Sequence, residues 1–156
     1  MTLKRRREGR TDYRRRLRLL ASGKVRCVVR LTSRHSIIQF VEYAEQKDHV
    51  LTGATSKELV PFGWSKGTAS VTAAYLAGYL AGTKAKAMGI EESVADVGFV
   101  DPRSNERLRA CIKGVIDSGV NVPFGLECDE SRLRGEHIGA GELFDAVVNS
   151  IKGGVK

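Results

Sequence analysis

The chain has 156 residues, 42% of them hydrophobic and 28% charged, which is enough for one folded core and ordinary for a globular protein. Its net charge of +8 is unevenly spread: Lys4–Arg30 sets twelve basic residues against Glu8 and Asp12, a net of +10, so residues 31–156 carry −2. A cationic arm on a near-neutral body argues for a polyanionic partner, and against a membrane protein, a disulfide scaffold or a zinc knuckle. The longest apolar candidate, Ala69–Ala81, is too short to span a bilayer and contains Ser70 and Thr72. Cys27, Cys111 and Cys128 form no close pair and are expected to be reduced, buried or half-buried apolar groups. A charged N-terminus without an apolar stretch behind it is not a secretory signal, and a cytoplasmic location is expected.

Residues 1–10 offer little apolar surface beyond Leu3 and are expected to be extended and mobile until they meet a partner. From Thr11 a helix is predicted, with Thr11 as N-cap, Asp12 at the positive end of the helix dipole and Gly23 at the stop. Tyr13, Leu17 and Leu20 share one face, while Arg14, Arg15 and Arg18 lie on the other. Such a helix can dock by its apolar stripe and offer guanidinium groups to phosphates. Arginine outnumbers lysine ten to two between Lys4 and Arg30, and its planar fork suits bidentate phosphate contacts.

Val25–Leu31 alternates Val25, Cys27, Val29 and Leu31 against Arg26, Val28 and Arg30, a strand with one charged face. Thr32–His35 reads as a turn, Ser36–Tyr43 as a second strand and His49–Ala54 as a third after a polar turn at Glu45–Asp48. Short links imply an antiparallel meander. Trp64 sits in a loop expected to fold back on the core. Thr68–Met88 is the longest helical pattern, apolar on all sides at first and therefore buried between layers. Ala74, Gly78, Ala81, Gly82 and Ala85 gather on one side, permitting close approach of a sheet or helix. Val94–Phe99 is a fourth strand that must enter by a crossover. Ser104–Gly119 is an amphipathic helix with Ser104 as N-cap. Asn121–Ser131 is turn-rich, and Glu142–Ile151 is a last helix ended by Gly153-Gly154. The expected fold is α/β: a mixed sheet of a three-strand meander plus a crossover strand, with helices packed on it. Residues 1–22 are expected to form a basic nucleic-acid-binding arm and first helix, and residues 23–156 a single α/β domain.

Several stretches also carry a resemblance. Arg5-Arg6-Arg7-Glu8-Gly9-Arg10-Thr11-Asp12-Tyr13 is followed by Arg16-Leu17-Arg18-Leu19-Leu20. The hairpin run Arg30-Leu31-Thr32-Ser33-Arg34-His35 with Gln39 comes next, then Ala73-Ala74-Tyr75-Leu76-Ala77-Gly78 with Phe62-Gly63-Trp64 ahead of it. Asp96-Val97-Gly98, Gly114–Gly119 and Arg132-Leu133-Arg134-Gly135-Glu136-His137-Ile138 complete the series. In order and spacing these resemble the universal 5S-rRNA-binding family of the large ribosomal subunit, in its archaeal form. Ser33 stands where that family often has asparagine, Phe124 where histidine is common, and Pro102–Arg107 diverges. The resemblance implies a ribonuclease-H-like fold and a structural role at the central protuberance. The implied partners are 5S rRNA, large-subunit rRNA and neighbouring large-subunit proteins. RNA contacts are expected first from the arm, through Lys4, Arg5, Arg6, Arg7, Arg10 and Thr11. The first helix should add Tyr13, Arg14, Arg15, Arg16 and Arg18. Arg26, Arg30, Ser33, Arg34, His35 and Gln39 are expected from the strand and hairpin, and Arg132, Arg134 and His137 from the C-terminal signature.

The rival readings are a metal-dependent nuclease of the same fold and a free-standing RNA-binding regulator. Metal-assisted phosphodiester cleavage needs several carboxylates converging on one point. Here Asp96 lies on a strand, Asp101 in a loop, Asp117 near a helix end, and Glu91 and Glu92 are adjacent in sequence and do not face one site. Asp96 is expected to serve the fold through hydrogen bonds to nearby backbone. No Gly-x-Ser-x-Gly occurs, and His35, His49 and His137 lack an evident catalytic partner. No regulatory domain or interleaved-aromatic platform for single strands is visible. The expectation is no enzyme, no catalytic residue, no metal and no cofactor.

Overall fold

The computed structural model describes residues 3–154. The first two residues of the expected mobile arm and the last two of the expected α/β domain lie outside that range. The elements run α1 (Lys4–Arg7), α2 (Tyr13–Ala21), β1 (Arg26–Leu31), β2 (Ser36–Ala44), β3 (Lys47–Thr55), a 3₁₀ segment (Ser56–Phe62), α3 (Val71–Ala87), β4 (Val94–Asp96), α4 (Glu106–Asp117), α5 (Glu130–Arg134), a 3₁₀ turn (Glu136–Ile138) and α6 (Gly141–Gly154). The sheet order is β3-β2-β1-β4, with β1–β2 and β2–β3 antiparallel and β1–β4 parallel. This is the mixed sheet that the meander and the crossover strand imply.

The strands' period-2 alternation divides the sheet into two unlike faces. Cross-strand partners share a face, so Cys27 with Phe40, Val29 with Ile38, and Ile38 with Ala54 form an apolar surface that is almost fully buried. α3 packs on this surface, and α4 packs on α3. The small-residue side of α3 faces α4: a Cβ on Gly78 would run into the Cys111 carbonyl, and one on Gly114 into the Tyr75 carbonyl. The two backbones therefore touch, and α3 is enclosed on nearly every side. Trp64 joins the core from its loop, donating Nε1–H to the Gly67 carbonyl at 3.3 Å. Cys27 and Cys111 are buried thiols and Cys128 is half-buried, all unpaired; burial pushes the Cys111 thiol up to about 12 and raises Cys128 as well.

Several local expectations need correction. Lys4–Arg7 is a helical turn rather than extended chain, closed by the Glu8 N–H on the Lys4 carbonyl. Glu8 offsets the local repulsion through Lys4 and Arg10. Asp12, not Thr11, caps α2, because its carboxylate accepts from the Arg14 and Arg15 N–H groups while the Thr11 hydroxyl accepts from Arg5 Nε. In α4 the cap is Asn105, accepting from the Leu108 N–H; the Ser104 hydroxyl donates instead to the Asp101 carbonyl. β3 starts at Lys47, since Glu45 and Gln46 alone make the turn with φ of 51° and 62°. Gly153 and Gly154 extend α6 rather than end it.

Candidate nucleic-acid interface

The other sheet face is mixed and carries the sheet's charges. Arg26, Val28 and Arg30 of β1 stand beside Val41, Gln39 and Ile37 of β2, and Arg26 and Val28 beside Val94 and Asp96 of β4. Tyr43 and Asp48 pair at the far end of β2 and β3. On this face the charges form one connected series. Arg16 Nη2 donates to both Asp48 oxygens at 3.0 and 2.9 Å. Arg26 donates to Asp48 Oδ1 at 2.7 Å and to Asp96 Oδ2 at 3.0 Å. Arg30 donates to Asp96 Oδ1 at 3.1 Å and to the Asp96 carbonyl at 2.8 Å. Three guanidinium groups and two carboxylates thus run from α2 to the β4 end of the sheet.

Asp96 is the pivot. Burial raises its pKa, but the Arg30 charge, hydrogen bonds from Arg30 and Arg26, and the Gly98 N–H outweigh that and hold the carboxyl below its ordinary value. Its partners are thus mainly guanidinium groups, with the expected backbone contact at Gly98 as one part. Gly98 adopts φ +63°, a conformation other residues take only with strain. Its carbonyl accepts from Arg15 Nη1 at 2.8 Å. The neighbours Arg15 and Arg16 therefore reach opposite edges of the sheet, and α2 is held across the charge-bearing face by both.

The docked side of α2 differs from the stripe that periodicity predicts. Tyr13, Arg16, Leu19 and Leu20 are half-buried, while Leu17 is 69% exposed. Arg16 takes the inward place because Asp48 neutralises it there. Lys4, Arg5, Arg6, Arg7, Arg10, Arg14, Arg15 and Arg18 remain exposed along the arm. Arg26 requires a correction: only 3% exposed and committed to Asp48 and Asp96, it is a structural charge and is not available to RNA. Arg30 keeps its side chain 47% exposed.

Beyond β1, Ser33 and Arg34 are exposed at the hairpin tip. The turn is tied on three sides: the His35 N–H donates to Thr32 Oγ1, Thr68 Oγ1 donates to the Arg34 carbonyl, and Arg107 donates to the Thr32 carbonyl. His35 Nδ1 lies 3.3 Å from the Thr68 hydroxyl, and Gln39 is half-buried on the charge-bearing face. The structure does not bring Arg132, Arg134 and His137 to this surface. They sit on α5 and the following turn, in the helical layer, where Arg132 pairs with Glu106 and Arg134 with Asp145. α5 packs on α3, which covers the apolar face. Sequence reasoning missed Asp48 as an anchor and Phe99 as a 62% exposed aromatic beside Arg15, Arg30 and Gly98. The lone aromatic next to Gly98 was a visible signal for the second; the first needed the strand register.

Residues 1–95, covering the arm, the meander and α3, match the family described as ribosomal large subunit proteins 60S L5 and 50S L18. The chain belongs to this family. Similar proteins include the large ribosomal subunit protein uL18 of Korarchaeum cryptofilum, 48% identical over 86% of this chain and 70% of that protein. The uL18 proteins of Methanothermobacter thermautotrophicus (46% identical, 88% and 73% covered) and Methanococcoides burtonii (43%, 97% and 92%) are similar as well. As a member of the L5/L18 family, the chain is a structural protein of the large ribosomal subunit and not an enzyme. Among the described residues no group of three His, Cys, Asp or Glu side chains could hold a metal ion, and no helix is long and apolar enough to cross a membrane.

Proposed function

We propose that this chain binds 5S rRNA and attaches it to the large subunit at the central protuberance, beside large-subunit rRNA and neighbouring proteins. The observation that carries the reading is an exposed arginine arm whose helix is fixed across the sheet by Arg15 and Arg16. Folded RNA presents phosphates at set positions, so arginines on an anchored helix can match them in a way that a loose cationic tail cannot. Residues 1–22 act as the RNA-binding unit, and residues 23–156 form one α/β domain that holds it. The hairpin residues Ser33, Arg34, His35 and Gln39 extend the contact surface, and Arg132, Arg134 and His137 serve a second contact from the helical side.

The test is a titration of a 5S rRNA transcript at several salt concentrations. Each phosphate neutralised contributes roughly 0.7–0.9 to the slope of log K against log salt. Removing residues 1–10 takes away Lys4, Arg5, Arg6, Arg7 and Arg10, so the slope should flatten by up to about 3.5–4.5 and binding should weaken. The circular dichroism of the body should not change. Equal affinity and slope for the truncated chain would refute the arm's role.

A further inference from the structure

Between α2 and the end of β4 lies a pocket of about 70 Å³, lined by Arg10, Arg15, Arg16 and Arg30 together with Phe99. Drug-sized ligands need roughly 300–1,000 Å³, so this space admits a single group and not a cofactor. Its charged lining comprises those four guanidinium groups against Asp12 and Asp96, a net of +2. Arg30 is the most committed, with Nη1 on the Val29 and Asp96 carbonyls and Nη2 on Asp96 Oδ1; the other three are each held by one nitrogen of the fork. Arg15 uses Nη1 on the Gly98 carbonyl, Arg16 uses Nη2 on Asp48, and Arg10 pairs with Glu8 through Nε. A guanidinium has five N–H donors, so pre-positioned donors remain for an anion.

Phe99 is the second observation. It follows the Gly98 turn whose carbonyl fixes Arg15, and at 62% exposure a large apolar ring stands in water at the rim of a cationic pocket. It contributes nothing to the core. An aromatic face beside phosphate-binding arginines is the combination that holds one unstacked nucleotide, with phosphate in the donors and base on the ring.

The geometry points to a single-nucleotide site on this surface: Arg10, Arg15, Arg16 and Arg30 take one RNA phosphate and Phe99 stacks on the adjoining unpaired base. This rests on the RNA-binding function proposed above. Replacing Phe99 removes no charge and disturbs no core packing, so its variants should fold like wild type.

With an archaeal 5S rRNA transcript as probe, Phe99→Ala should weaken binding about 5- to 150-fold, the range for loss of one base–aromatic stack, with the salt slope unchanged. Phe99→Leu should lose most of the same affinity, because it is apolar but not flat, whereas Phe99→Tyr should retain it. In Phe99→Trp the new indole should be quenched on adding RNA; Trp64 is buried and gives a constant background. Undiminished affinity for Phe99→Ala, full affinity for Phe99→Leu, or an unquenched indole would overturn the stacking. A wild-type chain that fails to bind this RNA would overturn the proposed function as well, whereas binding that ignores Phe99 would overturn only the nucleotide site.

Discussion

Asp96 accepts from two guanidinium groups and one backbone N–H, and Arg26, one of those guanidinium carriers, is almost wholly buried. A buried ion pair is weak evidence of net stabilisation, but removing one partner leaves an uncompensated charge and is costly. Asp96→Asn keeps the shape and discards the charge, with Asp48 left to neutralise Arg26. Because Asp48 still compensates Arg26, urea denaturation should show a loss of about 1–3 kcal/mol, below the cost of a fully uncompensated charge. The same residue sets an acid limit. Its folded-state pKa is lowered, so its contribution is complete above about pH 5, where the unfolded chain's aspartates are almost fully ionised, and is lost as pH falls toward the folded value. Between pH 7 and pH 3 wild type should therefore lose more stability than Asp96→Asn does. Equal losses would mean that other carboxylates govern the acid transition.

At the scale of elements, α2 shows how a helix so rich in arginine can dock at all. Its inward side carries Tyr13, Arg16, Leu19 and Leu20, and Leu17 faces solvent. Leu20→Ala should cost about 1 kcal/mol for half-buried apolar surface, and Leu17→Arg should stay within about 0.5 kcal/mol of wild type. Thermal melts of the two variants check this; a larger loss for Leu17→Arg would restore the stripe of Tyr13, Leu17 and Leu20. The error in that stripe has a physical origin. Periodicity ranks residues by apolarity, whereas an arginine can turn inward once a carboxylate waits there, and Asp48 reaches Arg16 from 32 positions away. Elements whose burial is purely apolar were legible. The alternation of β2 and the enclosed α3 follow from apolar patterns, and the crossover entry of β4 from the helix before it, but the strand ends at Asp96, because Gly98 turns the chain at φ +63°, and not at Phe99. Residue class alone sets the caps of α2 and α4 one residue early, because Thr11 against Asp12 and Ser104 against Asn105 differ by hydrogen-bond geometry and not by class. In the interface, the exposed arginines of the arm were readable from charge, but the burial of Arg26 and the anchoring carboxylates depended on strand register.

Across the whole molecule the sheet divides the labour: one face builds the core with α3, and the other holds a cationic helix in place. Asp48 joins these roles, since it fixes Arg16 of the arm and shares Arg26 with Asp96. Asp48→Asn separates two accounts of how such a protein recognises RNA. If recognition is only a matter of charge, removing a carboxylate raises the net charge from +8 to +9 and every RNA should bind more tightly. If the arginines must be held in register, Arg16 loses its ionic anchor, α2 loosens, and 5S rRNA should bind roughly tenfold more weakly, about 1.4 kcal/mol. An arbitrary RNA of equal length should bind as well as before or better, because nonspecific affinity follows charge. Arg26 keeps Asp96, so the domain should remain folded, and a melt recorded beside the titration verifies that. Tighter binding of both RNAs by a folded variant would show that the arm works as a cationic tether and that its docking across the sheet is irrelevant to recognition.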